Sequence, residues 1–246
     1  MVRLDHKEPF YPPIILPSPM ILVYSLGGSI LAGRDAESLK GYAHALKELA
    51  EEHQVFVVVG GGKIAREYIA KARALQAGEA FCDLLGIGAT RLNAMLLIAA
   101  LGRAAAPEPA ESYAGALSAS AGGRIVVLGG MAPGQTTDAV AALLAEYVGA
   151  DRLIVATSVD GVYSADPEVD SGAVKFDKMT AKDLVRLAME TEMKAGSRSP
   201  VDPLAAKIIE RSSIFTVVVH GADPKNLKRG AEGGHSGTEI SGTEIF

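Results

Sequence analysis

Two glycine-rich segments could bring backbone N–H groups close to an anionic ligand. Gly60-Gly61-Gly62 is followed by Lys63 and Arg66 at the start of a predicted helix, and Leu26-Gly27-Gly28-Ser29 repeats the design earlier in the chain. Exposed N–H groups and the partial positive charge of a helix N-terminus suit a phosphate. Two such loops indicate either two phosphate-bearing ligands or one ligand with several phosphates. Glycine also serves tight strand-to-helix turns, so each loop by itself leaves both interpretations open.

A third segment, Met131-Ala-Pro-Gly-Gln-Thr-Thr137, is rich in hydroxyl and amide groups and is followed by Asp138. The segment could bind a ligand through these groups. It could equally be a capped helix start, with Thr136 or Thr137 as the N-cap residue.

One predicted helix carries a stripe of small and polar residues on an otherwise apolar surface. The stripe consists of Asp83, Gly86, Thr90 and Asn93. Their spacing of i, i+3, i+7 and i+10 places them on one face of a helix. A carboxylate there could accept hydrogen bonds from a ribose diol. A close helix–helix contact through Gly86 and Ala89 is the alternative.

Composition excludes several classes of protein. The 246 residues include 24 Lys+Arg and 29 Asp+Glu, a formal charge of −5, which argues against a nucleic-acid partner. The single cysteine, Cys82, has apolar neighbours, so we expect an inert core residue in a reducing, cytoplasmic protein. Apolar stretches such as Ala94 to Leu101 are shorter than the roughly 20 residues that a membrane span needs, so we expect no membrane partner.

Short apolar runs alternate with helical patterns along the chain. The runs predict buried parallel strands at 21–26, 55–59, 125–128, 153–156 and 215–219. The helical patterns lie at about 36–52, 63–77, 80–101, 136–149, 181–192 and 203–212. This alternation predicts an open α/β sheet with helices on both faces. Ligands bind such sheets beyond the carboxyl ends of the strands, where the glycine pairs and triplets of this chain follow three strands.

Three further segments depart from this alternation. Residues 1–19 are proline-rich and predict a flexible arm before a single domain at 20–246. Asp160-Gly161 predicts a hairpin turn inside a small β excursion over 157–180, which ends where Thr180 caps the next helix. Near the carboxyl terminus, the repeat at 236–240 and 241–245 predicts an extension of a final edge strand.

Five motifs, taken together and in order, resemble the amino acid kinase superfamily, and within it the uridylate kinases of the archaeal type. The motifs are Ser25-Leu-Gly-Gly-Ser29, Gly60-Gly-Gly-Lys63 with Arg66, Asp83-Leu-Leu-Gly-Ile-Gly-Ala-Thr90-Arg-Leu-Asn93, Thr136-Thr-Asp138 and Thr157-Ser-Val-Asp-Gly-Val-Tyr163-Ser-Ala-Asp166-Pro167. The resemblance runs from about Met20 to Ile240. It implies an αβα sandwich of three layers around a mainly parallel, twisted sheet.

The resemblance also implies a reaction and its binding residues, namely transfer of the γ-phosphoryl group of ATP to UMP with Mg²⁺. The lobe at about 20–150 would bind the phosphate acceptor and the lobe at about 151–246 would bind ATP. ATP would contact Gly28, Ser29, Gly62, Arg66, Thr157, Tyr163 and Asp166. UMP would contact Gly61, Asp83, Met131, Ala132, Pro133, Gly134, Gln135, Thr136 and Thr137. The metal ligands are not assigned.

The chain departs from the family pattern at the first glycine motif. Many relatives have a lysine before it, where this chain has Tyr24-Ser25. Lys207 is one candidate for the cation that replaces this lysine, and Lys63 and Arg66 are others. Two carboxylates, Asp138 and Asp202, resemble residues that act near the reacting phosphates in related kinases. Asp202 could instead be an N-cap before Pro203.

Other functions on the same scaffold stay open at this level. An isopentenyl phosphate kinase would carry a catalytic histidine near the glycine-rich loops, and no histidine lies in the first three glycine motifs. Acetylglutamate and carbamate kinases would need a different acceptor loop. A regulatory or storage protein that binds nucleotides without turnover is a further alternative. The resemblance also implies a homohexamer built as a trimer of dimers, with UTP as a feedback inhibitor.

Overall fold

The computed structural model describes residues 19–31, 35–167, 169–192 and 200–242. Its strands are β1 (Ile21–Leu26), β2 (Gln54–Val59), β3 (Val126–Leu128), β4 (Arg152–Thr157), β5 (Val162–Tyr163), β6 (Lys175–Phe176), β7 (Lys178–Thr180), β8 (Thr216–His220) and β9 (Thr238–Ser241). Its helices are α1 (Gly28–Leu31), α2 (Ala36–Ala50), α3 (Gly62–Ala74), α4 (Glu79–Leu101), α5 (Tyr113–Ala119), α6 (Thr137–Val148), α7 (Ala181–Glu192), α8 (Pro203–Ser212) and α9 (Lys225–Glu232), with a 3₁₀ turn at Gly102–Ala104. The predicted arm lies outside these residues except for Pro19.

One seven-stranded sheet organises the molecule, in the order β3-β2-β1-β4-β8-β9-β7. Strands β1 to β4 and β8 are parallel, and β9 is antiparallel to β8. The five predicted strands are confirmed. The prediction for the carboxyl-terminal repeat is wrong, because β9 lies between β8 and β7 and is not at an edge. Most of its second copy falls outside the described residues.

Helices cover both faces of this sheet, so the predicted three-layer α/β class is confirmed. Alternation along β1 separates two cores: Leu22, Tyr24 and Leu26 pack with α2, α4 and α9, whereas Val23 packs with α6 and α8. Because β1 pairs with both β2 and β4, the two predicted lobes share a continuous sheet. Their division into two ligand-binding halves stays a prediction.

The six predicted helices are present, and local signals set their ends. Thr136 is the N-cap of α6, accepting a hydrogen bond from the N–H of Ala139, and Gly149 ends that helix at a φ of +64°. Helix α1, a single turn of four residues, and helices α5 and α9 were not predicted. The last two are short, at 7 and 8 residues, and α9 is predominantly polar, so neither carries a long apolar period.

Helix α4 is long and apolar enough to cross a bilayer by length and composition, which the sequence analysis did not anticipate. It contacts α2, α3, β2 and β3, and its Cys82 is fully buried, as predicted. Its buried Thr90 and Asn93 hydrogen-bond to loops at the end of the sheet. These contacts fix one face of α4 to the folded domain.

The predicted β excursion is present, but its turn is not at Asp160-Gly161. Strands β5 and β6 pair antiparallel, with Tyr163 opposite Lys175, so the connection between them runs through residues 164–174. Asp160 and Gly161 precede the hairpin, where the Asp160 carboxylate accepts hydrogen bonds from Tyr163 and Lys175. Thr180 caps α7 as predicted, accepting from the N–H of Asp183 at 3.0 Å.

Candidate active site

A cleft of about 500 Å³ opens at the carboxyl ends of the parallel strands. The loops that follow β1, β2, β3 and β4 form it, as expected for a parallel α/β sheet. Most of the residues predicted from the sequence line it together: Gly28, Ser29, Gly61, Gly62, Arg66, Asp83, Gln135, Thr136, Thr137, Asp138, Thr157, Tyr163 and Asp166. The tertiary structure therefore joins segments from both halves of the chain in one cavity.

The first two glycine loops touch backbone to backbone at the floor of this cleft. A Cβ atom on Gly28 would lie 1.9 Å from the Gly62 nitrogen, and one on Gly60 would lie 2.3 Å from the Gly28 nitrogen. No side chain fits at either position. Gly62 also has a φ of +61°, which favours glycine at the start of α3. The glycines thus serve the close loop contact and leave the N-terminus of α3 facing the cavity.

Two side chains of the stripe on α4 anchor glycine loops after β2 and β3. Asn93 donates to the carbonyl oxygens of Gly60 and Gly61 at 2.9 and 3.2 Å. The Thr90 hydroxyl accepts from the N–H of Gly130 at 2.7 Å. Asp83 and Gly86 line the cleft beside them. The predicted close contact between helices is present at Gly86, where an added Cβ atom would lie 3.3 Å from Ile69 Cδ1 of α3. The ribose-binding role of the stripe stays a prediction.

The third loop is tied to this stripe through Asp83, whose Oδ2 accepts from the N–H of Gly134 at 2.8 Å. Gly134 has a φ of +79°, where an L side chain would be strained. Of the predicted acceptor residues, Gln135, Thr136 and Thr137 line the cleft. Met131 packs instead against the core, and Ala132, Pro133 and Gly134 form the part of the loop outside the cavity lining.

Asp138 is a carboxylate in the cleft wall whose pKa is raised well above its ordinary value. It lies in the first turn of α6, and its Oδ1 accepts from the Ser25 hydroxyl at 2.5 Å. Burial raises its pKa from 3.8 to about 6; the Ser25 hydrogen bond lowers the pKa, and the nearby charge of Asp202 raises it. Ser25, which is fully buried, belongs to the Tyr24-Ser25 pair where the family resemblance implies a lysine. A neutral hydroxyl therefore faces Asp138 in this chain.

Asp202 is the N-cap of α8, which confirms one of the two interpretations of this residue. Its Oδ1 accepts from the N–H groups of Leu204 and Ala205 at 2.9 and 3.1 Å, and its Oδ2 accepts from the Thr136 hydroxyl at 2.5 Å. Since Thr136 caps α6, this bond joins the N-termini of two helices beside the cleft. The cleft lining includes Thr136 but not Asp202.

The three candidate cations lie in different places. Lys207 projects from the exposed side of α8 and pairs with Glu210 at 2.8 Å, so the structure does not bring it into the cleft. Lys63 is 80% exposed and lies 3.7 Å from Glu67. Arg66 lines the cleft, and within the described residues its guanidinium forms no ion pair. Arg66 is therefore the candidate that the geometry favours.

Sequence analysis missed the Ser25–Asp138 hydrogen bond, and it missed Leu187 and Pro200, which also line the cleft. Alternation in β1 could have placed Ser25 on the same face as Val23, toward α6. Leu187 and Pro200 carry no such signal, because they come from α7 and from the residues before α8. Only the packing of those helices brings them to the cavity.

Fold and site together define an α/β protein with a glycine-lined cleft at the carboxyl end of a parallel sheet. The family model described as "Amino acid kinase family" matches residues 20–220. The chain belongs to the amino acid kinase family, as its motifs led us to expect.

Individual relatives agree with this assignment. The uridylate kinase of Methanothrix thermoacetophila is 62% identical over 221 residues, covering 90% of this chain and 99% of that one. A uridylate kinase of Archaeoglobus fulgidus is 51% identical over 222 residues, covering 90% and 100%. A crystal structure of uridylate kinase from A. fulgidus superimposes with a TM-score of 0.82 at 49% identity, over 90% of this chain and 100% of that one. The UMP kinase of Bacillus anthracis, at 22% identity and a TM-score of 0.76 over 93% and 98%, supports the fold alone.

Proposed function

We propose that this protein is an ATP-dependent uridylate kinase that converts ATP and UMP to ADP and UDP in pyrimidine nucleotide synthesis. The observation that carries the proposal is the single cleft in which Asp83, the two touching glycine loops and Tyr163 lie together. Relatives that are more than half identical over nearly their whole length are uridylate kinases. Nothing in the cleft favours a different reaction.

The chemistry needs two phosphates held in line more than it needs a catalytic base. A phosphate oxygen of UMP attacks the γ-phosphorus of ATP, and the bond from that phosphorus to the β–γ bridging oxygen breaks as ADP leaves. The attacking oxygen is already ionised, so no side chain has to remove a proton. The N-termini of α3 and α6 and the Arg66 guanidinium offer positive charge where the two phosphates would meet.

We assign the two ends of the cleft from their residues. Asp83, on the rigid helix α4, keeps one carboxylate oxygen for the ribose of UMP while the other fixes the third loop at Gly134. Gln135, Thr136 and Thr137 would complete the acceptor side. Thr157, Tyr163 and Asp166 would hold the adenosine portion of ATP, with Gly28, Ser29 and Gly62 on its phosphates. We also propose that Asp138 and Asp202 act near the reacting phosphates.

A divalent metal, which we take to be Mg²⁺, fits the carboxylates at the cleft. Within the described residues no group of three or more His, Cys, Asp or Glu side chains forms a metal cage. Mg²⁺ in kinases is held by one or two carboxylates together with substrate phosphates, so a cage is not needed. Asp138 is the cleft-lining carboxylate that would hold it. When bound, Mg²⁺ would neutralise charge on the transferring phosphoryl group.

Self-association is the second part of the proposal, and α4 supports it. Its outer face exposes the apolar side chains of Phe81, Leu84, Leu92, Met95 and Leu96, each at least 54% accessible. Monomeric proteins seldom expose so continuous an apolar stripe. We propose that this stripe contributes to the contacts of a homohexamer. We also propose that the protein works in the cytoplasm and that UTP inhibits it. Analytical ultracentrifugation of Leu92→Lys, with Leu117→Lys on α5 as the control, tests the contribution of the stripe.

The decisive experiment measures Mg²⁺-dependent ADP release from ATP with UMP, CMP, dUMP, isopentenyl phosphate and N-acetylglutamate offered separately. Preference for UMP supports the proposal. Turnover restricted to isopentenyl phosphate would point to the apolar-acceptor alternative, although no histidine lines the described cleft. Nucleotide binding without turnover on any acceptor would favour the regulatory alternative.

A further inference from the structure

The hairpin of β5 and β6 borders the cleft, yet its backbone pairing is slight. Each strand has two residues, with Val162 opposite Phe176 and Tyr163 opposite Lys175, and one further backbone bond runs from the N–H of Ser164 to the Val174 carbonyl oxygen. Isolated two-stranded hairpins of this kind are marginally stable in water. Since Tyr163 lines the cleft from this hairpin, its position depends on contacts other than the ladder.

Side chains supply those contacts through Asp160. The Tyr163 hydroxyl donates to Asp160 Oδ1 at 2.6 Å, and Lys175 Nζ donates to Asp160 Oδ2 at 3.1 Å. Lys175 Nζ also donates to the Ser236 carbonyl oxygen at 2.7 Å. The Lys175 side chain is only 24% exposed, so solvent screens its charge less than that of a surface lysine. The chain of bonds therefore runs from the loop before β9 to the hydroxyl of Tyr163.

A second tie fixes the same hairpin to β9. The Thr238 hydroxyl, fully buried, accepts from the N–H of Val162 at 2.8 Å and donates to the Phe176 carbonyl oxygen at 2.5 Å. This tie holds the hairpin backbone whether or not Lys175 is charged. The structure thus separates two tasks, with Thr238 docking the hairpin and Lys175 and Asp160 orienting one side chain on it.

We propose that Lys175 and Asp160 are positioning residues that hold Tyr163 in place for the donor nucleotide. The inference rests on the proposed function for the identity of the donor, a purine nucleoside triphosphate, and adds two residues that do not themselves line the cleft. Tyr163 bonds Asp160 at its hydroxyl and leaves its ring free to lie against the nucleoside portion. The carboxylate is anchored on its other oxygen by Lys175, so it cannot turn away from Tyr163.

The pKa shifts of Asp160 and Tyr163 agree with this arrangement. Hydrogen bonds from Tyr163 and then Lys175 lower the pKa of Asp160 below its ordinary value, and the bond to Asp160 raises the pKa of the Tyr163 phenol. Asp160 is therefore ionised and Tyr163 protonated across the neutral range. The geometry is independent of pH under ordinary assay conditions.

The test is ADP binding by isothermal titration calorimetry, together with KM values for ATP and UMP. Lys175→Met keeps the length of the side chain and removes its charge, and we expect about a tenfold weaker ADP affinity and a similar rise in the KM for ATP. The KM for UMP should change less than twofold. Lys175→Arg should restore most of the affinity, because a guanidinium can donate to both Asp160 and Ser236. Lys178→Met is the control, since Lys178 on β7 pairs with Glu239 on the neighbouring β9, outside the cleft.

A cycle with Tyr163→Phe distinguishes positioning from general support of the hairpin. If Lys175 acts through Tyr163, the double variant should bind ADP about as weakly as the weaker single variant. Additive losses of ADP affinity would overturn the proposal, and so would equal rises in the KM values for ATP and UMP. Unchanged ADP binding in Lys175→Met would also overturn it. Because ADP binding needs no acceptor, the result stands even if UMP is not the substrate. Failure of the wild-type protein to bind ADP would overturn the inference and the proposed donor together.

Discussion

The two sides of the cleft are built by different means. The α4 side, comprising Asp83, Thr90, Asn93 and the loop 130–137, stands on a helix of 23 residues that packs into the core. The hairpin side, comprising residues 157–167 with β6, stands on two short strands held by side-chain bonds. Helical scaffolds hold functional groups more rigidly than loops do.

We infer from this difference that one side of a cavity can select its ligand strictly while the other side accommodates variation in a second ligand. On the α4 side, each polar side chain of the stripe has a fixed partner on a glycine loop. These bonds hold the loops in set positions, so we expect the α4 side to discriminate more strictly between acceptors. The hairpin side depends on a partly exposed charge pair and would tolerate more variation in the donor.

The largest effect should come from disturbing the close contact between the two glycine loops at the floor of the cleft. Gly28→Ala places a Cβ atom 1.9 Å from the Gly62 nitrogen, so one loop must move. We expect kcat/KM to fall at least about 100-fold for both substrates, since a displacement of 1 Å can cost that much. Steady-state kinetics measure this, and Gly88→Ala, where a Cβ atom meets nothing within 4 Å, is the control. Wild-type activity in a folded Gly28→Ala protein would show that the loops can separate freely.

The next effect concerns the anchor of the α4 side. Asn93→Leu removes the hydrogen bonds that its amide donates to the carbonyl oxygens of Gly60 and Gly61, and the buried Gly60 oxygen loses this partner, whereas the Gly61 oxygen keeps its bond from the N–H of Ala65. We expect a loss of about 2 kcal/mol in the free energy of unfolding. Urea denaturation measures it. Arg73→Gln, which breaks an exposed pair with Glu79, should leave the free energy of unfolding nearly unchanged. Similar small changes in both variants would contradict the rigid-anchor view.

Asp83→Asn tests the acceptor side directly. The variant keeps a carbonyl oxygen for the N–H of Gly134 but loses the charge offered to a ribose. We expect the KM for UMP to rise about tenfold while the KM for ATP changes little, since a charge-assisted hydrogen bond contributes 1–2 kcal/mol more than a neutral one. Equal losses for both substrates would remove the assignment of Asp83 to the acceptor.

The smallest effect is a pH dependence of stability at the centre of the cleft. The pKa of Asp138 rises from 3.8 to about 6 on folding, so the folded protein binds the proton more tightly. This contribution favours folding fully below pH 3.8 and is lost as the pH rises through 6. In metal-free buffer, Asp138→Asn should therefore gain stability relative to wild type between pH 4 and pH 7, by about 1 kcal/mol after allowing for solvent access. A gap between the two proteins that stays constant over this range would exclude the shift.

Local sequence determined much of this protein. Apolar runs ending in glycine located the five parallel strands, because buried strands and tight turns each demand particular residues. The spacing of Asp83, Gly86, Thr90 and Asn93 placed them on one helical face, and the order of the five motifs indicated the family. Caps at Thr136 and Asp202 were also readable, since a cap needs only its neighbours.

Tertiary structure alone decided the rest. The Ser25–Asp138 bond joins residues 113 apart in the chain, and the Lys175–Ser236 bond joins residues 61 apart. The hairpin turn was misplaced because Asp160 serves a long-range charge pair and not the turn beside it. Lys207 was a candidate by position in sequence, yet the rotation of α8 turns it to solvent. Such outcomes depend on how helices and strands pack, and local propensities do not contain that information.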